Sequence, residues 1–314
     1  MNLLASLRYL AALDEHKHFG RAAQACHITQ PALSNALRAL EAEFGHVIVR
    51  RERNFEGFTP EGERVLASAQ RMLHERELLQ QELDSVVGKP QGSLSIGAVP
   101  TAMPIAARFC ALLKTRHPGI APQVRSMSSN ELEAGLESLS LDMGLGYTDR
   151  LRVNGPRLRQ IPQYTEHYFF VRRAQKAHKS ALQIGGPISW AEAAAHPLCL
   201  LTREMHNRTI VENAFIEAGT SSRPAIETNS ILTLALSVVE GDVCTVMPGA
   251  LVGAVRGYRE LEALPLIGPE VRTAIGFIAQ GSDRRSRTLE AALTLAQDAS
   301  WLRHAAAHSG LLSL

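Results

Sequence analysis

Four polar side chains near the start of the chain have types and spacing suited to reading nucleobases: Gln30, Ser34, Asn35 and Arg38. Glutamine and asparagine can form paired hydrogen bonds to adenine, arginine can do so to guanine, and serine can bond a base edge or a phosphate. Residues three or four positions apart share one side of an α-helix. In a helix, these residues would form one polar face, and a helix of this width fits the major groove of DNA.

The elements that must position this face are encoded around it. Leu33, Leu37 and Leu40 recur at i, i+4 and i+7, which is the spacing of a buried stripe. Thr29 is a favourable N-cap, and the missing N–H of Pro31 costs nothing in a first turn. The pattern predicts a helix that begins directly after Thr29, with Thr29 and Pro31 on the side that meets DNA.

Two further helices are predicted upstream. Leu3, Leu7 and Leu10 follow an amphipathic helical period, and residues 19–25 form a second short helix. Two adjacent alanines in that second helix allow a neighbouring helix to approach closely. Three short helices in this order, the third carrying the polar face, are typical of a helix-turn-helix.

A basic cluster follows the third helix. Arg50, Arg51 and Arg53 lie between two short strand-like segments, Val47–Val49 and Gly57–Thr59. This arrangement predicts a β-wing whose arginines bind the phosphate backbone. Considered without its helical context, such a cluster is more often an ordinary solvated surface.

This N-terminal segment resembles the LysR-type transcriptional regulators. The family pattern, an aromatic followed by x-x-A-A, then a hydrophobic residue, [ST]-Q-P-A-[LV]-S and L-E, matches residues 19–23, 28–34 and 40–41. A wing signature matches residues 44–50 and 58–62. Two departures are visible: His18 stands where the family most often has serine, and Val49 replaces the usual phenylalanine. The resemblance implies a winged helix-turn-helix DNA-binding domain over residues 1–59.

A long helix is predicted after the wing. Thr59 and Pro60 suit its N-cap and first turn, and Gly88 and Pro90 end it, giving ~27 residues and ~40 Å at 1.5 Å per residue. Its apolar residues alternate at spacings of four and three, which indicates a coiled-coil seam; packing on its own domain is the alternative. The seam consists of Val65, Ala69, Met72, Arg76, Leu79, Leu83 and Val86. The resemblance implies a homodimer through this linker, residues 60–89, and assembly to a homotetramer.

From Gly92 onward, strands and helices alternate, which predicts an α/β fold with doubly wound sheets. The predicted strands are 93–99, 122–127, 143–147, 168–171, 198–201, 225–228 and 243–246. The predicted helices are 105–115, 131–139, 189–195, 207–218 and 231–239. The resemblance implies an effector-binding domain, residues 92–303, with two subdomains of periplasmic-binding-protein type. Subdomain I comprises 92–161 and 268–303, and subdomain II comprises 162–267.

Polar residues follow several of these strands, at the edge where an open α/β sheet binds its ligands. Each of them could simply cap a helix. The resemblance implies that a small effector binds where they converge, and the set is Pro100, Thr101, Ser128, Ser129, Tyr147, Thr202, Arg203 and Asn229. Arg203 carries the only charge in this set. It favours a carboxylate or another oxyanion as effector, although a local surface ion pair is the alternative.

Composition and the remaining motifs argue against several other classes. The 314 residues are 45% hydrophobic and 20% charged, which excludes a disordered chain. No apolar run approaches the ~20 residues of a membrane span and no signal peptide is recognised, so a cytoplasmic protein without membrane contact is expected. Nucleotide-binding, zinc-protease and hydrolase motifs are missing from the sequence, so we expect no catalytic residues, no cofactor and no metal site.

Two alternative functions stay open. Some LysR-type proteins sense peroxide through paired cysteines in the segment after the 198–201 strand, but residues 202–218 contain no cysteine. A redox switch would have to use Cys199, within that strand, and Cys244. The other alternative is an architectural DNA-binding protein without an effector, which would need no cleft.

Overall fold

The computed structural model describes residues 2–51, 55–84, 89–150, 158–281, 285–310 and 312. The chain divides into two compact units, one containing the residues up to Asp84 together with Ser138–Ser140, and one containing the remainder. Within the described ranges, no helix combines the length and the apolar character that crossing a membrane requires.

The first unit consists of three helices, a two-stranded wing and a long helix. Its elements are α1 (Leu3–His16), α2 (Phe19–Ala25), α3 (Gln30–Phe44), β1 (Val49–Arg51), β2 (Phe55–Phe58) and α4 (Pro60–Asp84). The strands pair antiparallel. Of the stripe predicted for α1, Leu7 and Leu10 are buried but Leu3 is 36% exposed. The α3 leucines are buried in the same core, which also takes in Ile48, Val49 and Phe58. The predicted winged helix-turn-helix is confirmed.

Side-chain caps determine where α2 and α3 begin. The Oγ1 atom of Thr29 accepts a hydrogen bond from the N–H of Ala32 at 3.4 Å, and α3 starts at the predicted residue. His18 caps α2, because its Nδ1 atom accepts from the N–H groups of Gly20 and Arg21 at 3.1 and 3.3 Å. A ring nitrogen therefore replaces the serine hydroxyl that is more common at this N-cap.

The α4 helix is packed at its start and exposes apolar side chains further along. Leu66 and Ala69 are buried in the core of the first unit. Met72, Leu79 and Leu83 are 50%, 49% and 72% exposed, and they fall on the predicted seam. Seam position 86 and the predicted helix end at position 88 lie outside the described residues. A row of apolar side chains is therefore without a partner on the single chain, within the described part of α4.

The second unit begins with a lobe built around a parallel sheet. Its first elements are β3 (Gly92–Ala98), α5 (Met103–Arg116), β4 (Ile120–Ser126), α6 (Ser129–Glu137) and β5 (Met143–Tyr147). The β3 strand lies between β4 and β5 and is parallel to both. A short 3-10 turn, Pro100–Ala102, follows β3. This order places the loops after β3, β4 and β5 at one edge of the sheet.

A long strand, β6 (Leu158–Arg173), leads into a second lobe. Its elements are β7 (Gln183–Ile184), β8 (Ile188–Ser189), α7 (Trp190–Ala194), β9 (Leu198–Leu201), α8 (His206–Glu217), β10 (Pro224–Thr228), α9 (Ile231–Glu240), β11 (Cys244–Pro248) and α10 (Gly249–Ala254). The β9 strand is parallel to its neighbours β10 and β11. Apolar side chains cover both faces of this sheet. The predicted doubly wound α/β architecture is confirmed.

The chain then returns to the first lobe. The closing elements, which the periodicity did not resolve, are β12 (Leu261–Ile267), β13 (Arg272–Gln280), α11 (Arg287–Ala296) and α12 (Ala299–Ala307). The β6 strand belongs to both lobes: residues 158–167 pair with β13, and residues 168–173 pair with β11 and β12. The two lobes are thus joined through a continuous strand, and the subdomain boundary expected at 161/162 falls inside it.

Candidate functional site

The polar face of α3 lies on the surface of the first unit. Ser34 is half-buried, and the other three members, Gln30, Asn35 and Arg38, are exposed, as is Pro31 on the same side of the helix. The Nη1 atom of Arg38 donates a hydrogen bond to Oδ1 of Asn35 at 3.2 Å. The three leucines on the opposite side are buried. The predicted base-reading residues are therefore brought together on one accessible helix face.

Glu41 connects this helix to the wing. Its Oε1 atom accepts hydrogen bonds from the N–H groups of Ile48 and Val49, both at 3.0 Å. Its Oε2 atom lies 3.0 Å from Nη2 of Arg51. One carboxylate thus fixes the start of β1 against α3. Sequence reasoning used Glu41 only as a family match, because its acceptor role depends on partners seven and eight residues away.

Thr59 and Gly62 hold the other side of the wing. The hydroxyl of Thr59 donates to the carbonyl of Val47 at 2.6 Å and accepts from the N–H of Gly62 at 2.9 Å. A Cβ atom at Gly62 would lie 2.1 Å from the carbonyl oxygen of Ile48, so this contact requires glycine. The threonine and glycine of the wing signature therefore seat the first turn of α4 against the wing.

The three arginines predicted to bind phosphate have different surroundings. Arg50 is exposed on β1. The side chain of Arg51 is only 23% exposed, and its charge is already paired with Glu41. Arg53 lies outside the described residues. Among the two described arginines, Arg50 is the one with its charge fully available to a phosphate.

A small cavity lies between the two lobes of the second unit. On the first lobe it is lined by Val99 and by five of the predicted effector residues: Pro100, Thr101, Ser128, Ser129 and Tyr147. On the second lobe it is lined by Leu201, Met205, His206 and Asn207. The centre of a water-sized sphere can occupy about 10 Å³, which is close to the space that one water molecule needs. A larger effector would require the lobes to separate.

None of the effector residues predicted on the second lobe, Thr202, Arg203 and Asn229, lines this cavity. The hydroxyl of Thr202 donates to the Glu204 carboxylate at 2.7 Å, and Arg203 and Asn229 are exposed. The first turn of α8 lines the cavity instead, and its N-cap, Met205, supplies no side-chain acceptor. A prediction based on the residues directly after strands does not reach this position, because it lies in the first turn of a helix. The available signal was an N-cap without a hydroxyl, carboxylate or amide.

Arg150 bridges the two lobes close to the cavity. Its Nη2 and Nε atoms donate to Oδ1 of Asn130 at 2.7 Å and to Oε1 of Glu133 at 3.2 Å, both on α6. Its Nη1 atom lies 3.0 Å from Nδ1 of His206 on α8. Burial, and then the charge of Arg150, lower the pKa of His206. The ring is therefore neutral near pH 7, and accepting from Arg150 at Nδ1 leaves its proton on Nε2.

A fully buried carboxyl group lies behind the cavity. The Oε2 atom of Glu166, on β6, accepts from the hydroxyls of Tyr168 at 3.4 Å and Thr273 at 3.3 Å. Its Oε1 atom has no hydrogen-bond partner among the described residues. Burial raises the pKa of Glu166 to about 8, against the opposing effect of the Thr273, Tyr168 and Thr101 hydroxyls. Glu166 is therefore mostly a neutral acid at pH 7. No sequence pattern marked it.

The four cysteines are poorly placed for redox chemistry. Burial raises the pKa of every one of them: Cys26, Cys110, Cys199 and Cys244. Cys199 and Cys244 lie on adjacent strands, but their side chains belong to apolar clusters on opposite faces of the sheet. Side chains that point apart cannot form a disulfide without backbone movement. Thiols of this kind are weak nucleophiles.

Comparison with known proteins adds two family matches. The model described as "LysR substrate binding domain" matches residues 88–301. The model described as "Bacterial regulatory helix-turn-helix protein, lysR family" matches residues 4–63. A curated relative, the DNA-binding transcriptional dual regulator OxyR of Escherichia coli, is 29% identical over 286 residues, covering 90% of this chain and 92% of the relative.

Solved structures share the fold along nearly the whole chain. Full-length OxyR from Pseudomonas aeruginosa, as a cysteine-to-aspartate variant, aligns with a TM-score of 0.68 at 22% identity, covering 94% of this chain and 97% of that one. Full-length CbnR in complex with its target DNA aligns with a TM-score of 0.63 at 20% identity, covering 96% and 99%. At these identities the likeness concerns the fold alone.

Proposed function

Since the chain belongs to the LysR family of DNA-binding transcriptional regulators with an effector-binding domain, we propose that it reads promoter DNA with the polar face of α3 and responds to a small effector at the interlobe cavity. The observation that carries the first half is the exposed set on α3, backed by a fully buried leucine stripe. In this proposal, residues 1–59 form the DNA-binding domain, residues 60–89 the linker helix and residues 92–303 the effector-binding domain.

On DNA, the two parts of the first unit have different tasks. Gln30, Ser34, Asn35 and Arg38 contact base edges, where a good bidentate pair contributes ~1–3 kcal/mol of discrimination. The N-cap Thr29, and Pro31 two residues further on, approach the DNA backbone, since the threonine hydroxyl still has a proton to donate. Arg50, Arg51 and Arg53 supply phosphate contacts that depend on salt but not on sequence. Arg51 contributes less than Arg50, because its Nη2 atom is paired with Glu41.

Matched alanine variants test this division. We expect Arg38→Ala to lose preference at one base pair while keeping its affinity for random duplex DNA. We expect Arg50→Ala to weaken binding to all duplexes alike and to lower the slope of log affinity against log salt by about one unit. Fluorescence anisotropy with cognate and scrambled duplexes at several salt concentrations measures both. Equal loss on both duplexes in Arg38→Ala would contradict base reading.

The linker and the assembly follow from the exposed row on α4. Met72, Leu79 and Leu83 form an apolar stripe that a second copy of α4 can cover. A homodimer made in this way places two recognition helices on an inverted repeat, and dimers pair into a homotetramer as the family resemblance implies. Cytoplasmic location accompanies the DNA-binding role. No membrane contact, enzymatic activity or cofactor is part of the proposal.

The effector proposed is a small anion, such as a carboxylate or another oxyanion. Two helix N-termini, those of α6 and α8, meet at the cavity from opposite lobes, and backbone N–H groups at such ends favour anions. Arg203 is exposed nearby on the loop after β9 and is proposed to reach the anion once the lobes separate. Thr202 and Asn229 remain proposed contacts for the same open state.

Arg203→Ala tests the proposed role of that residue. Calorimetric titration with acetate and with sulfate should show weaker binding than in the unchanged protein, and unchanged affinity for both would remove Arg203 from the site.

Effector binding shifts the population of open and closed lobes and thereby changes the DNA footprint. A footprint whose length does not respond to any bound ligand would favour an architectural DNA-binding protein instead.

A redox-sensing regulator is the second candidate, because the curated relative named above is OxyR and others are called hydrogen peroxide-inducible genes activators. The cysteine geometry opposes it, since Cys199 and Cys244 face opposite sides of the sheet. DNA binding should be the same before and after peroxide treatment. A reversible change that disappears in Cys199→Ser would restore the redox candidate.

A further inference from the structure

Hydroxyl and amide groups connect the interlobe cavity with the buried carboxyl of Glu166. The hydroxyl oxygens of Thr101 and Tyr147, which both line the cavity, are 3.0 Å apart. From the second lobe, Nδ2 of the lining residue Asn207 donates to the hydroxyl of Tyr168 at 3.5 Å, and that hydroxyl in turn reaches Glu166. Asn207 of the second lobe therefore reaches Glu166 through the Tyr168 hydroxyl, and on the first-lobe side the Thr101 hydroxyl is one of the groups that lower the pKa of Glu166 by hydrogen bonding.

The position of Glu166 in the fold reinforces this connection. It lies opposite Thr273 in the pairing of β6 with β13, two residues before β6 passes into the second-lobe sheet. Its side chain is 0% exposed. Glu166 therefore lies on the strand that joins the two lobes, at the last part of its pairing with β13.

The protonation state of Glu166 determines which way the neighbouring hydroxyl protons point. A carboxylate only accepts hydrogen bonds, so it draws the single proton of each adjacent hydroxyl toward itself. A neutral acid supplies a proton of its own and leaves those hydroxyls free to donate elsewhere. With Glu166 neutral, the Thr101 and Tyr147 pair can offer a hydrogen-bond donor to the cavity.

We propose that Glu166 is a positioning residue for the effector: in its neutral form it keeps hydroxyl donors turned toward a bound oxyanion, and its ionisation weakens that binding. This inference rests on the proposed function, in which a small carboxylate or other oxyanion occupies the cavity. Ionised Glu166 would withdraw the donors and place a negative charge behind the anion. Effector binding is thereby coupled to retention of one proton.

Other groups at the cavity suit the same ligand. The Oγ atom of Ser129 is buried and has no hydrogen-bond partner among the described residues. It belongs to the first turn of α6, a nine-residue helix, and faces the first turn of the twelve-residue α8 across the cavity. A donor without a partner and two helix N-termini from different lobes are complementary to an anion.

The other titratable groups around Glu166 keep their charge state over the relevant pH range. They are the phenols of Tyr164 and Tyr168 on its own strand and of Tyr147 on β5, and burial raises the pKa of all three above the usual range for tyrosine. His206 on α8, which contacts Tyr147 edge-on at 4.9 Å and is bonded to Arg150, has a lowered pKa. Among these groups, Glu166 is therefore the one that changes charge between about pH 7 and pH 9.

The test uses acetate as the anionic probe and acetamide as its neutral counterpart, at equal ionic strength. Affinities come from titrations followed by protein-observed NMR of the full chain at about pH 6.5 and about pH 9. If only neutral Glu166 is competent, and its pKa is about 8, acetate should bind about tenfold more weakly at the higher pH. Glu166→Gln stays neutral and should show no such loss, whereas the exposed Glu240→Gln should behave as the unchanged protein.

The outcomes separate this inference from the proposed function. Acetate binding that weakens equally in the unchanged protein and in Glu166→Gln overturns the role of Glu166 and leaves the anion site intact. Acetate that binds no better than acetamide in any variant at either pH overturns the anion site, and this inference with it.

If Glu166→Gln does not fold, carbon NMR of labelled glutamate carboxyls in the unchanged protein tests the role of Glu166 instead. We expect one glutamate carboxyl to titrate near pH 8 in the free protein and at a higher pH when acetate is bound. If every glutamate carboxyl titrates below about pH 6.5, the inference is overturned.

Discussion

Replacing Glu41 by alanine should detach the wing from the recognition helix. The carboxylate accepts from the N–H groups of Ile48 and Val49, which are 1% and 2% exposed, so both groups would lose their acceptor in a dry setting. Hydrogen bonds to charged groups contribute roughly 1.5–3 kcal/mol each, and two that share one carboxylate are not additive. We therefore expect the free energy of local opening at the wing to fall by about 2–4 kcal/mol.

Hydrogen exchange followed by mass spectrometry measures this opening directly. A loss of about 2–4 kcal/mol makes the amides of residues 46–51 exchange roughly 30-fold to 1000-fold faster, since 1.4 kcal/mol corresponds to a factor of ten. Glu41→Gln keeps an acceptor without the charge, so its amide exchange rates should lie between those of the unchanged protein and those of Glu41→Ala. The control is Glu43→Ala, an exposed position on the same helix. Exchange in Glu41→Ala within about threefold of the unchanged protein would refute the assigned role of this carboxylate.

Three further predictions concern the cap of α2, the dimer seam and the buried acid. His18→Ala should destabilise α2 by about 1 kcal/mol, and His18→Ser should restore most of that stability, because serine is a strong N-cap. Thermal unfolding of both variants measures the difference, and equal stability of His18→Ala and His18→Ser would argue against the cap. Leu79→Glu combined with Leu83→Glu should convert the dimer to a monomer in light scattering after size exclusion, while an unchanged mass would place the dimer contact elsewhere. The pKa of Glu166 is raised from 4.5 to about 8. The folded protein therefore keeps a proton on this group that the unfolded chain releases, and the free energy of unfolding should fall as the pH rises from about 4.5 to about 8, by at most about 5 kcal/mol. Comparing the unfolding free energy of the unchanged protein with that of Glu166→Gln across this range isolates the effect, and parallel pH curves would contradict the raised pKa.

The first unit could be predicted from its sequence because its signals are local. Thr29 and Pro31 mark a helix start within three residues, and the leucines of α3 repeat at a spacing that only a helix places on one side. The same reasoning failed for His18, since histidine is not among the residues that usually cap helices, although its Nδ1 does so here. The role of Glu41 was missed because its partners, seven to ten residues further along, lie beyond the spacing at which a helical period or a cap is recognised.

The second unit could be predicted only in part. Its strands and helices alternate with clear periods up to β11, but β12 and β13 are paired mainly with the long β6 strand, and nothing in the sequence reveals that pairing. The predicted cavity residues of the first lobe were found because they lie at the ends of strands: Tyr147 is the last residue of β5, and the others follow β3 or β4. His206 and Asn207 were missed because they lie inside a helix, and Glu166 because its burial results from packing around a strand that serves both lobes.

The central claim is that the polar face of α3 contacts bases while its leucines stay packed inside. Selection of bound sequences from a randomised duplex pool tests it most directly, with the unchanged protein and Asn35→Ala compared side by side. We expect the unchanged protein to enrich an inverted repeat, and Asn35→Ala to lose the preference at one base pair of each half-site while still binding DNA. No enriched sequence with the unchanged protein, or the same sequence enriched by Asn35→Ala, would contradict it.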